Sequence, residues 1–139
     1  MDERIVKFLK KMHLASVCAI DDDGQPYAFS AFYAFDELNF CLLLASSDES
    51  SHIKFLKNSK LVAGTIALDT KIVGKIEGVQ FQGVMSEASE SEREIYFKRF
   101  FYAKAMDPKI WSISLEKVKF TSNTLGFGKK IKWERGDKI

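Results

Sequence analysis

The chain has 139 residues, 46% hydrophobic and 29% charged, with 21 basic against 19 acidic side chains for a net charge of +2. That length suits a single domain spanning residues 1–139, large enough to bury roughly two-thirds of its unfolded surface without disulfides. The near-neutral charge excludes a broad footprint for nucleic acid, and no apolar run approaches the roughly eighteen residues that a membrane helix needs.

Asp2 can cap a first helix whose apolar stripe is Ile5, Phe8, Leu9 and Met12 at i, i+3, i+4 and i+7. His13 falls at its end, where a cationic side chain complements the helix dipole. Residues 14–20 form a short, largely apolar run, a buried strand. The turn Asp21-Asp22-Asp23-Gly24 follows, and Pro26 keeps out of a central ladder. Residues 27–35 alternate between two faces, with Tyr27, Phe29, Ala31, Tyr33 and Phe35 on one and Ala28, Ser30, Phe32 and Ala34 on the other. Both faces are expected to be occupied. Asp36-Glu37 turns the chain into a third strand over 38–45, completing an antiparallel meander.

Residues 46–51 make a polar loop with four serines, which leads into a short helix carrying Ile53, Phe55 and Leu56. The fourth strand, 61–68, contains Gly64, where something must approach closely or the strand must bulge. A long fifth strand covers 75–86. Ser89-x-x-Glu92 and Ser91-x-x-Glu94 are alternative capping boxes for a third helix reaching Phe101, with one more helical turn over 103–106. The last strand runs over 111–121. Its apolar phase slips by one at Glu116-Lys117, which predicts a β-bulge. The elements together predict a mainly β (α+β) fold, a six-stranded antiparallel Greek-key barrel with short flanking helices.

Catalytic constellations are sparse. Cys18 and Cys41 lie in apolar runs without C-x-x-C spacing, so two reduced thiols and no metal site are expected. The residues Met1 to Arg4 carry no apolar signal core, and a cytoplasmic location is expected. His52 reads locally as a solvated helix-start residue, with an anion or ring contact as its functional alternative. Ser46, Ser47, Ser50 and Ser51 could surround a phosphate with hydroxyls and backbone N–H groups. The strand Ser30-Ala31-Phe32-Tyr33 sets small residues beside aromatics, an edge on which a flat ring could lie. Twelve phenylalanines fit a packed sheet, an interface or a flat ligand. The C-terminal turn Gly126-Phe127-Gly128-Lys129-Lys130 is basic and glycine-spaced, but it is not a phosphate-binding Walker loop.

Three segments carry a wider resemblance: Val62-Ala63-Gly64-Thr65, Gly78-Val79-Gln80-Phe81-Gln82-Gly83, and the run from Phe120 through Thr121-Ser122-Asn123-Thr124-Leu125 to Lys130. With the order of elements, they make nearly the whole chain resemble the FMN-binding split barrel of the pyridoxamine 5′-phosphate oxidase superfamily, in its small bacterial YhbP-like branch. The resemblance implies a homodimer with two FMN molecules at the subunit interface. It places Ser30, Ala31, Phe32 and Tyr33 beside the flavin ring and the loop from Ser46, Ser47, Ser50 and Ser51 to His52 on its phosphate. It also draws Gln80 from the partner's long strand. The superfamily's oxidases put Arg and Lys on that phosphate, where this chain has Ser50 and Ser51; His52, Lys54 or Lys129 are the candidate replacements. True pyridoxamine 5′-phosphate oxidation is therefore not expected. The expected function is that of an FMN-dependent oxidoreductase acting on a small substrate. The alternatives are a non-enzymatic module holding flavin, haem or another ligand and, third, a small nucleic-acid-binding barrel.

Overall fold

The computed structural model describes residues 1–126 and 129–136, so Phe127 and Gly128 of the C-terminal turn lie outside the described residues. Helix α1 (Glu3–Lys11) is capped by Asp2, whose carboxylate accepts the Arg4 N–H at 2.8 Å. Its buried stripe is Ile5, Phe8 and Leu9; Met12 is the C-cap and His13 lies beyond the helix. The strands are β1 (Leu14–Ile20), β2 (Pro26–Asp36), β3 (Cys41–Ala45), β4 (Leu61–Ala67), β5 (Glu77–Glu87), β6 (Ile110–Ser122) and β7 (Lys130–Glu134). Helix α2 (Ser51–Phe55) follows β3, and α3 (Glu90–Arg99) follows β5.

Every pairing is antiparallel, in the order β3-β2-β1-β4-β5-β6-β7, and β3 also pairs with β6. That last pairing closes six strands into the expected barrel, and β7 is an addition outside it. The third strand starts later than the apolar run suggests. The buried Asp36 carboxylate accepts the Leu38 and Asn39 N–H groups, and Phe40 takes a positive φ of 55°, so residues 37–40 are spent on the turn. A 3-10 turn over Val73–Lys75 likewise delays β5. Of the two capping boxes, Ser89–Glu92 is the one that forms.

The barrel interior is one apolar cluster, joined by Ile5, Phe8 and Leu9 of α1 and by Ile53 and Leu56. The Tyr33 hydroxyl is buried there and donates to the Leu9 carbonyl at 2.7 Å, satisfying an acceptor near the end of α1. Gly64 has no room for a side chain: a Cβ would fall within the Ser16 carbonyl oxygen and the Phe81 ring. A smaller cluster lies on the outside, where Tyr96 and Phe97 of α3 cover Ala34, Cys41, Leu43 and Ile110.

The expected bulge is present. Gln82 faces Lys117 while Gly83 faces Leu115, leaving Glu116 extra in β6. Residues 110–114 of β6 pair with β3, and residues 117–121 pair with β7. The bulge stands where β6 exchanges one neighbour for the other. Arg135 fastens this junction by donating to the carbonyls of Leu115 (2.7 Å), Asn39 (2.9 Å) and Phe40 (3.0 Å). Among the described residues, no helix is long and apolar enough to cross a membrane.

Candidate functional site

Antiparallel register puts paired residues on the same face of a sheet. One row therefore crosses the outside of the barrel as Ser30, Ser16, Thr65, Gln80, Lys119 and Lys132. The next row is Ala28, Cys18, Ala63, Gln82, Lys117 and Glu134. On β2, β1 and β4 these side chains are all small, so the surface there is low and flat. On β5, β6 and β7 they are long and form a raised border. Contrary to the expectation for β2, its outer face is covered only near its end. Ala28, Ser30 and Phe32 are exposed, Phe32 to 55%, whereas Ala34 lies under α3. Leu14 (48% exposed), paired with Phe32, and Leu61 (60%) add apolar surface to the same face.

A second grouping forms where β3 runs into α2. Ser46 Oγ lies 2.6 Å from His52 Nε2 and 3.3 Å from Ser50 Oγ. The His52 ring stacks on Phe29, with centroids 3.7 Å apart and planes 8° apart. His52 is thus a packed residue, not the solvated helix-start residue that local sequence favours. Burial pushes its imidazole below the ordinary value of 6.5. The Trp111 indole donates to the Ser46 carbonyl at 3.0 Å, fixing the start of the loop. Ser47 Oγ accepts the Glu49 N–H, and Ser51 is exposed at the first turn of α2.

The loop's cations are already paired. Lys109 bridges Asp48 at 3.1 Å and Glu87 at 3.5 Å, and hydrogen bonding to Asp48 raises its pKa. Lys54 stands 4.0 Å from Glu49. The adjoining cleft, of about 510 Å3, is lined by Asp48, Glu49 and Asp107 against the single cation Lys109.

The candidate residues on β2 divide by face. Ser30 and Phe32 point outward. Ala31 packs against the core, and Tyr33 is fully buried, its N–H donating to the His13 carbonyl and its carbonyl accepting from Arg99. Gln80 stands on the outer face, in register with Thr65 and Lys119. Lys129 is far from the Ser46 loop of its own chain. Ile110 pairs with Ala45 and Thr121 with Lys130, eleven residues apart along β6, or about 36 Å at strand rise. Sequence reasoning missed Phe29, Thr65, Lys109, Lys119 and Lys132 as neighbours of these groups. Alternation along β4, β5 and β6 could have placed Thr65, Gln80 and Lys119 on one face; nothing local announces the pairing of Lys109 with a residue sixty-one positions away. Among the described residues no cluster of His, Cys, Asp or Glu could hold a metal, and both cysteines are free thiols.

The six-stranded closed barrel with an outlying strand is the split-barrel architecture. Solved structures that share it include a heme binding protein from Mycobacterium smegmatis (TM-score 0.73, 16% identity, 88% of this chain and 53% of that one). A FAD-binding protein from Mesorhizobium loti shares it too (0.68, 15%, 85% and 92%), as does HutZ, the heme storage protein from Vibrio cholerae (0.65, 16%, 82% and 89%). No protein-family model matches the chain. Full-length relatives do: it is 38% identical over 135 residues to the UPF0306 protein YhbP of Salmonella schwarzengrund, covering 94% of this chain and 91% of that protein. Identity to the same protein of Salmonella paratyphi A is 37%, with equal coverage. The chain belongs to the YhbP (UPF0306) family.

Proposed function

We propose that this protein is a cytoplasmic homodimer that binds FMN between its two copies and serves as an oxidoreductase for a small substrate. The observation that carries the reading is the open sheet face. A broad surface of small residues edged by Phe32, Leu14 and Leu61 is what a partner surface covers, and a second copy of the chain presents the same flat surface. The residues there fit a flat ring. Ser16, Ala28, Ser30, Ala63 and Thr65 carry nothing long enough to obstruct it, and their hydroxyls with the Gln80 amide offer partners to a heteroatom edge. The loop from Ser46 and Ser47 through Ser50 and Ser51 to His52 would offer hydroxyls and an imidazole to the ribityl hydroxyls of the ligand. Gln80 and Lys129 would serve the half of the site contributed across the seam. Ala31 and Tyr33 would act through the position of β2, not through their side chains.

A bound flavin supplies hydride and electron transfer itself; the chain's own residues have to hold the ring, hydrogen-bond its edge and keep water away. That division suits a site made of serines, threonine, glutamine and aromatic rings. Two free thiols suit a reducing compartment. The fold neighbours whose names record FAD or heme binding support a ligand of this size and flatness. FMN in particular is supported by the resemblance of the segments around Gly64, Gln80 and Asn123 to the flavin-binding superfamily.

The test is titration of the purified protein with FMN, read in the visible flavin bands, followed by reduction with a nicotinamide donor. Saturable binding with a perturbed spectrum and donor-driven reduction are expected. Absence of binding at high micromolar FMN overturns the flavin reading, and binding without reduction leaves a non-enzymatic module. Haem is the second reading, favoured by the exposed His13 ring stacked on Phe32 at the edge of the face (centroids 6.0 Å apart, planes 15°). A Soret shift on adding haemin that is lost in His13→Ala would select it.

A further inference from the structure

The geometry points to a phosphate-binding site in the cleft between β5, β6 and β7, held by Lys119 and Lys132. The inference rests on the reading of the chain as a ligand-binding split barrel and adds where the ligand's negative charge is met. Among the described residues, the Ser46 loop offers hydroxyls and an imidazole but no spare positive charge, because Lys109 and Lys54 are each paired with carboxylates. Its cleft carries three carboxylates against one ammonium group, which repels a phosphate. The charge balance is reversed in the larger cleft, of about 680 Å3, where, among the described residues, Lys117, Lys119 and Lys132 face one carboxylate, Glu134. Glu134 lies 3.9 Å from Lys117. Among the described residues no carboxylate comes within ion-pairing distance of Lys119 or Lys132.

Those two lysines are direct cross-strand partners. Like charges set opposite each other destabilise a sheet unless something lies between them, and a dianion would convert the repulsion into a two-point clamp. The row continues from Lys119 through Gln80 to Thr65, so an amide and then a hydroxyl follow the two lysines across the same face of the sheet. Lysines on an edge strand also discourage edge-to-edge pairing. That need accounts for Lys130 and Lys132 on β7, but not for Lys119, which sits on β6 between two paired neighbours. The phosphate belongs either to the flavin itself or to a second, phosphorylated small molecule bound beside it.

The experiment compares wild type, the double variant Lys119→Gln/Lys132→Gln, and His52→Gln. The three are measured for affinity to FMN and to riboflavin, and for thermal stabilisation by inorganic pyrophosphate at two salt concentrations. Both lysines are exposed or half-buried, so the double variant is expected to fold. If the cleft holds the flavin phosphate, wild type prefers FMN over riboflavin by about tenfold or more; the double variant loses that preference with riboflavin binding intact, and His52→Gln retains it. If the cleft serves a second ligand, the lysine change abolishes the salt-sensitive stabilisation by pyrophosphate and leaves the FMN preference untouched. Neither readout moving in the lysine variant overturns the site. So does a wild type that neither prefers FMN nor is stabilised by pyrophosphate. Flavin failing to bind at all, with pyrophosphate still acting through the lysines, overturns the flavin reading alone.

Discussion

His52 is the residue whose environment departs most from what its neighbours in sequence suggest. Serines on both sides point to a solvated turn, yet the ring is stacked on Phe29 and tied to Ser46. The contact is invisible locally because Phe29 lies on β2, twenty-three positions away. Its pKa is depressed by burial, so the unfolded chain binds the His52 proton more readily than the folded one. Stability from this group is fully present above the unfolded value of 6.5 and is lost as pH falls through it toward the lower folded value. Urea unfolding of wild type and His52→Gln between pH 7.5 and 5 should give curves whose separation changes over that window, with the variant losing less stability on acidification. Parallel curves would mean that the imidazole is not buried neutral. The residues of β2 teach a related point. The family resemblance sets Ser30 to Tyr33 together beside a flat ring, whereas the alternation already visible in the sequence sends Ser30 and Phe32 outward and Ala31 and Tyr33 inward.

At the scale of elements, strands and helices were legible wherever a period was long enough to read. Helix α1, the six barrel strands and the Glu116 bulge all follow from spacing, which also offers Ser89–Glu92, the capping box that forms, as one of two alternatives. Strand β7 did not, because Lys130 to Glu134 is short and basic, and its support is supplied by tertiary contacts. Chief among these is Arg135, which donates to three carbonyls from two separate stretches of chain and lies 5.7 Å from the Trp133 ring. Arg135→Ala is expected to cost about 2 kcal/mol of stability and to raise amide hydrogen exchange in β7 well above that in β5. Unchanged exchange in β7 would show that β6 alone holds the strand. Gly64 had announced a bulge or a close approach, and the latter is what occurs: the Phe81 ring and the Ser16 carbonyl oxygen occupy the space a side chain would need.

For the whole molecule, the sequence carried the barrel but not the location of a site, because a site spread over five strands is set by register and not by motif. The Ser-rich loop and the outer face were both readable as pieces. Which of them has free charge was not, since that depends on ion pairs such as Lys109–Asp48 that join distant segments. The dimer proposal belongs at this scale. Ala63→Arg places a long cation in the middle of the flat face, where Ala63 is exposed and its paired neighbours Cys18 and Gln82 stand on the same outer face. The variant is expected to keep its far-ultraviolet circular dichroism, run as a monomer in light scattering and lose FMN affinity by at least about tenfold. A dimer that survives the change places the subunit contact elsewhere.

The extra residue at Glu116 has one more result. Remove it, and Leu115, Lys117, Val118, Lys119 and Phe120 would still alternate in and out without a fault, so the inside of the protein has no use for it. What it provides is a bend. Past that point β6 leaves the strand that closes the cylinder, a seventh ribbon docks against it on the outside, and two lysines come to stand opposite each other across the join. A single surplus amino acid, neutral for the core, thereby separates a plain closed tube from one with a basic mouth.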